Sequence, residues 1–270
     1  MGTRAYDIWF GIDDGLVAEE PTSSQGVAAP DRAPDGWVGS AGPGIAPEAW
    51  PRGSSTGLPM FHAITLRLPA EYRRRGPGHP GIAFFQGEGQ FAEQFVPTGP
   101  DDPFATDIAH AGPHAMLTRL TDVIDGQFAL LWLTEEELAA GPTLPPPDSR
   151  HPGEHAATDE GPNAWDEQQP TVPVWLLERD DPNAGLAPVE EPGEGSAYQD
   201  RWNAAGDDLH PWAQHLAPCH LGGTCFPTQW MPEGLTPWYL ELVELPGLNF
   251  GGDGSAQIDL ESDVFDWACG

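Results

Sequence analysis

The stretch PMFHAITLRLP (Pro59 to Pro69), followed after a loop by GIAFFQG (Gly81 to Gly87), decides how this chain folds. Successive side chains of a strand point to opposite faces, so Met60, His62, Ile64, Leu66 and Leu68 fall on one face of an extended segment. His62 is the one polar member of that apolar row. GIAFFQ has the continuous apolar pattern of a buried strand. The same grammar returns near the end of the chain. Pro237-Trp238-Tyr239 opens a strand that stops at Pro246, and after a loop comes GSAQID (Gly254 to Asp259). Two such strand–loop–strand units point to antiparallel pairing and to an internal duplication.

Working outward, YDIWFGI (Tyr6 to Ile12), FALLWL (Phe128 to Leu133), TVPVWLLER (Thr171 to Arg179), WYLELVEL (Trp238 to Leu245), AQIDLE (Ala256 to Glu261) and VFDWA (Val264 to Ala268) also read as strands. Pro173 lacks an N–H and suggests that its strand lies at a sheet edge. Thr134 with Glu137 three residues on forms a capping box for the short helix EEELAA, which Gly141 stops. PAEYRRR (Pro69 to Arg75) has room for one helical turn, and Tyr198–Leu216 for some helix. Residues 18–57 carry Pro and Gly at spacings that forbid a helix of any length. Residues 142–170 and 180–195 are poor in apolar side chains and are expected to be mobile insertions. The expected architecture is a single α+β domain over residues 1–270, with mostly antiparallel, curved sheets, few short helices and long Pro/Gly-rich loops.

The chain carries 42 acidic residues against 11 basic ones, for a net charge of −31. Every basic residue is Arg. A field of that sign repels nucleic-acid phosphates and anionic membrane surfaces, so neither is expected as a partner. It keeps a protein soluble in a salty medium, and it also suits a surface that meets a basic protein. No stretch approaches the roughly 20 apolar residues of a membrane span, and the N-terminal residues lack the pattern of a signal peptide. Three Cys, an odd number, argue against a disulfide framework and for a cytoplasmic setting.

Several motifs match a chemistry by letters and fail it by context. GSSTG (Gly53 to Gly57) fits the nucleophile-elbow pattern, but that elbow needs a strand before it and a helix after it. Here a strand follows. The pairs His110/His114 and His151/His155, the second with Glu154 between, have helical zinc spacing, yet a Pro and a Gly separate each pair. HLAPCHLGGTC brings together His215, Cys219, His220 and Cys225, and Cys269 could join from the C-terminus. Imidazole and thiolate suit zinc, but the spacing fits no zinc knuckle, and free Cys is among the most commonly buried residues, so core packing is the favoured reading. NFGGDGS (Asn249 to Ser255) has a single carboxylate, too few for a calcium loop, and runs into a strand pattern where a phosphate loop would enter a helix. Its glycines read as a bend between two strands. No cofactor motif and no catalytic set emerge.

Trp50-Pro51, Gly57-Leu58-Pro59-Met60, Leu68-Pro69 and Phe84-Phe85, with HLGGTCFPTQ (His220 to Gln229) and the closing NFGGDGSAQIDL, resemble the pattern of the YwqG-like family. The likeness covers about residues 40–90 and 215–270. Departures are His62-Ala63, where members often carry Ala-Gln, and a less aromatic strand after the glycine turn. The resemblance implies an α+β fold with curved sheets and duplicated halves, and no established activity. Two functions are therefore expected from different classes. One is a non-enzymatic binding module that neutralises or regulates a basic partner such as a toxin. The other is a small-ligand- or zinc-binding protein, or an enzyme, using the His-bearing surface.

Overall fold

A computed structural model describes residues 3–11, 30–88, 99, 101–120, 128–151, 162–203, 206 and 208–270. Its strands are β1 (Ala5–Phe10), β2 (Gly36–Val38), β3 (Phe61–Arg67), β4 (Gly81–Gln86), β5 (Leu117–Leu120), β6 (Phe128–Leu133), β7 (Val172–Arg179), β8 (His220–Leu221), β9 (Tyr239–Val243), β10 (Ser255–Asp259) and β11 (Phe265–Ala268). All belong to one sheet of order β11-β10-β9-β8-β1-β7-β2-β3-β4-β6-β5. Every pairing is antiparallel.

The α+β expectation is corrected. Among the described residues there are two α-helices, α1 (Pro103–His110) and α2 (Glu135–Ala140), of eight and six residues, and they form no layer of their own. The 64 Pro and Gly residues (31 + 33) interrupt helical runs, so the apolar content sits in extended segments.

The sheet curls until its ends meet across the core, nearly closing a barrel. Phe128 of β6 lies against Phe265 of β11 with ring centroids 4.8 Å apart, and Phe84 of β4 faces the same ring at 6.2 Å. Inside pack Phe61, Ile64 and Leu66 of β3, Ile82 and Phe84 of β4, Leu130 and Trp132 of β6, Leu240 and Leu242 of β9, and Ile258 of β10. Burying each such side chain stabilises the fold by about 1.5–3 kcal/mol before entropy is counted. Outside β3, β4 and β6 a second cluster joins Trp50, Met60, Phe85, Leu131 and Leu138 under the 41–59 segment and α2. Outside β9 a third joins Cys225, Leu235 and Tyr239 under the 222–238 segment.

The two halves of the sheet repeat one connectivity. β2–β3–β4–β6 in the first half corresponds to β8–β9–β10–β11 in the second, and β5 is an added edge strand. The leading strands exchange partners: β1 pairs with β7 and β8, while β7 pairs with β1 and β2. Each half is thus completed by a strand from the other.

Three local expectations need correction. The row from Met60 to Leu68 is not one face. A bulge between His62 and Ile64 turns Met60 to the outer cluster, while Ile64, Leu66 and Leu68 point inward. His62 is fully buried, with Nδ1 2.6 Å from the Gly39 carbonyl and Nε2 2.8 Å from the Thr65 hydroxyl. Burial lowers its pKa to about 4, so the ring is neutral. β7 is central, not an edge. The Pro173 carbonyl accepts from Gly11 N–H just past the end of β1, and Pro173 N faces that same side and away from β2. The bond the proline cannot make therefore falls beyond the end of β1, and the pairing with β2 is intact. Finally, the described part of Tyr198–Leu216 forms turns and contains no helix.

Where expected, the capping box of α2 is present, with Thr134 Oγ1 accepting from Glu137 N–H and Glu137 Oε2 accepting from Thr134 N–H. α1 starts at Pro103 behind Asp102, whose carboxylate accepts from Phe104 N–H at 2.9 Å. Parts of the expected 142–170 insertion are anchored. Arg150 bridges Asp148 and Asp166 at 2.7 and 2.8 Å, Ala164 N–H bonds the Pro59 carbonyl, and Trp165 packs edge-on against Phe104. In the expected 180–195 insertion, Asp181 and Asn183 are buried.

Candidate functional site

Among the described residues, a concentration of buried polar groups lies outside the barrel, where β1, β7, β8 and β9 meet the 222–238 segment. Arg179 at the end of β7 is its organising cation. Its Nη1 donates to Asp7 of β1 at 2.6 Å, and its Nη2 donates to Asp181 at 2.8 Å. Asp181 accepts in turn from Asn183 N–H, Thr224 N–H and Thr224 Oγ1, all within 2.9 Å. Gly223 has φ +83°, and a Cβ there would lie 2.4 Å from the Asp181 carboxylate. A glycine is required for the chain to pass.

Glu241 of β9 lies deeper still. Both its oxygens accept from Phe226 N–H, at 3.0 and 2.9 Å, and Gln257 of β10 donates to one of them at 3.3 Å. Burial raises its pKa to about 7. His220 Nδ1 is 3.0 Å from the Ala217 carbonyl, which fixes the proton on that nitrogen and leaves Nε2 as an acceptor. Burial, and then the nearby Arg179 charge, hold this ring neutral. Its Nε2 sits 3.4 Å from Glu241 Oε2 and 3.4 Å from the Tyr239 hydroxyl, which itself donates to the Gly223 carbonyl. With its proton on Nδ1, the ring offers Nε2 as an acceptor, so below about pH 7 a protonated Glu241 can donate to it. The neutral imidazole makes the contact something other than an ion pair on either side of that pH.

Cys225 touches this group, with its thiol against Glu241 and Tyr239. Burial, and then the Glu241 charge, push its pKa well above that of a free thiol. Above it opens a cavity of about 260 Å³ lined by Tyr198, Arg201, Trp202, Thr224, Cys225 and Met231, among others. The Arg201 Nη1 donates to the Cys225 carbonyl at 2.8 Å, and its guanidinium lies over the Phe226 and Trp202 rings.

The five zinc candidates do not converge. Cys219 packs in the barrel interior, Cys225 in the outer cluster, His220 is committed to Ala217, and His215 and Cys269 are exposed. Among the described residues, no three His, Cys, Asp or Glu side chains are placed to share a metal ion. His110 ends α1 and bonds back to Thr106, whereas His114 pairs with Glu137 of α2 at 2.8 Å. Glu154 and His155 lie outside the described residues. Ser54 and Ser55 sit in a turn between Arg52 and β3, with no helix behind them. Asn249–Gly254 is the bend between β9 and β10, and its amides already have an acceptor. Glu244 takes Phe250 N–H at 2.5 Å and Asp253 N–H at 3.0 Å.

Sequence reading missed Arg179, Asp181, Tyr239, Glu241 and Gln257 as a group. Glu241 and Gln257 alternate with apolar neighbours as solvent-facing residues do, and nothing local signals that the 222–238 segment covers them. Comparison with protein-family models, with curated proteins and with solved structures found no match for this chain. Among the described residues, no helix is long and apolar enough to cross a membrane.

Proposed function

We propose that this chain is a non-catalytic, cytoplasmic binding protein of YwqG-like ancestry whose partner is a basic protein. The observation that carries the reading is how the arginines are used. Eight of the 11 form ion pairs with the chain's own carboxylates, namely Arg4, Arg32, Arg52, Arg67, Arg74, Arg75, Arg150 and Arg179. With 42 acids to 11 arginines the acids are in large excess, and a surface of one sign steers and selects an oppositely charged partner. The buried titratable groups support the non-catalytic part. His220 and Cys225 are held in uncharged forms, and Glu241, with its carboxyl raised to about 7, is already bonded to Phe226 N–H and Gln257, so none of the three is poised as a nucleophile. The ancestry rests on motif positions: Gly57–Met60 leads into β3, Leu68-Pro69 follows its end, and Phe84-Phe85 lies in β4.

Affinity capture at low and high ionic strength tests this, with an unrelated acidic protein of matched charge as control. A basic protein retained stoichiometrically by this chain, absent from the control and released by salt, is the expected result. Capture no different from the control sinks the proposal.

A further inference from the structure

A second cleft, of about 320 Å³, opens on the outer face of the sheet between the 49–57 segment, the end of α1, residues 111–113 and the edge strand β5. Its charge is the reverse of the molecule's. In a chain with 42 acids and 11 arginines, the charged residues lining it among the described residues are Arg52 and Arg119, with no Asp or Glu. The remaining walls are largely apolar and include Trp50, Ile108, Pro113 and Leu117.

The two arginines differ. Arg52 is largely buried. Its Nη2 pairs with Asp107 at 2.9 Å and its Nη1 donates to the Gly57 carbonyl at 3.0 Å, while its Nε is buried without a partner. Asp107 neutralises it. Arg119, in β5, has no carboxylate partner among the described residues, and its one bond there is to the Met60 sulfur at 3.6 Å. A thioether is a weak acceptor, so most of the guanidinium's five N–H donors have no match among the described residues. The cleft therefore presents apolar walls and one positive charge, that of Arg119, which no carboxylate among the described residues compensates.

We propose that this cleft binds a small monocarboxylic acid with an apolar body, its carboxylate on Arg119 and its hydrocarbon against Trp50, Ile108 and Leu117. The planar guanidinium matches a carboxylate in two parallel hydrogen bonds. One cation without a carboxylate partner among the described residues balances a monoanion, whereas a phosphate monoester, close to a dianion at neutral pH, would keep a charge unmatched. The cavity lies at the lower end of the range for small-molecule sites, which span about 300–1,000 Å³. This inference is independent of the basic-partner reading.

The test titrates the whole protein with hexanoate and benzoate, following Trp fluorescence and calorimetry, with 1-hexanol and hexylamine as uncharged and cationic controls. At least one acid is expected to saturate the wild type below 10 mM, with the alcohol at least tenfold weaker and the amine unbound. Arg119→Gln, on an exposed edge residue, is expected to keep the wild-type melting temperature and weaken the acid at least tenfold. Ile108→Trp, which fills the cleft, is expected to abolish binding. Failure of both acids to bind the wild type by 10 mM overturns the proposal. So does acid binding that Arg119→Gln leaves unchanged, or hexanol binding as tightly as hexanoate.

Discussion

At the scale of the residue, Glu241 shows what burial does to a carboxyl and gives a pH signature that can be measured. Its pKa rises from an ordinary 4.5 to about 7 because the charged form is desolvated. The native state then binds more protons than the unfolded chain between those values. The contribution is fully present below about pH 4.5 and is lost as pH rises through 7. Glu88, raised to about 7 by burial, acts in the same direction, whereas His62, lowered to about 4, loses its contribution as pH falls from 6.5. Glu241→Gln isolates one group. Gln is the neutral isostere of the protonated acid: its oxygen accepts from Phe226 N–H and its amide donates to His220 Nε2. Relative to wild type, the variant is expected to gain about 2–3 kcal/mol between pH 5 and pH 8 in denaturant titrations. A constant difference across that range would show that Glu241 is ionised in the fold. None of this was legible beforehand, because a Glu between Leu240 and Leu242 has the same pattern whether its face meets water or a covering loop.

At the scale of the element, legibility followed length and local chemistry. β6 and the capping box of α2 were readable to the residue because all their determinants are local. β5, β8 and β2, of four, two and three residues, were not read. Such short pieces show no period, and neighbouring strands hold them in place. The β3 bulge escaped for a related reason: only pairing with β4 reveals that Ala63 has no opposite number. The β9–β10 bend was legible as a bend, though Glu244 as its internal acceptor was not. Its residues rank by distinct causes. A Cβ at Gly254 would lie 2.3 Å from the Phe250 carbonyl and 2.5 Å from that of Ala268, and Gly252 has φ +89°. Asp253, at φ +51°, already tolerates the left-handed region. Gly254→Val is therefore expected to lower the melting temperature most, Gly252→Val less, and Asp253→Ala least. Cost at Gly252 should be on the order of 1 kcal/mol or more. Thermal melts with and without calcium check the order. A calcium-dependent rise that Asp253→Ala removes would make the bend a site after all.

At the scale of the whole molecule, the exchanged leading strands make the halves interdependent. β1 has neighbours only from the second half, β7 and β8, and β7 bonds β2 of the first. The interior cluster draws likewise on both, with Phe84 and Phe128 from one side meeting Phe265 and Phe250 from the other. Dividing the chain within residues 152–161 leaves β1 without either partner and removes one wall of the core. Neither piece retains a covered apolar face, and a sheet that cannot cover its core is not stable alone. The first piece is expected to be unfolded or aggregated by itself, with no cooperative melt, and so is the second. Refolded together, they are expected to form a one-to-one complex whose far-ultraviolet spectrum matches the intact chain. Joining the pieces costs translational freedom, so the complex should melt lower and in a concentration-dependent way. Should the first piece alone give a cooperative melt and a dispersed amide spectrum, the exchange of β1 and β7 is not what holds the halves together. The sheet would then be two self-sufficient units sharing an edge, and a duplication built on mutual completion would have to be abandoned.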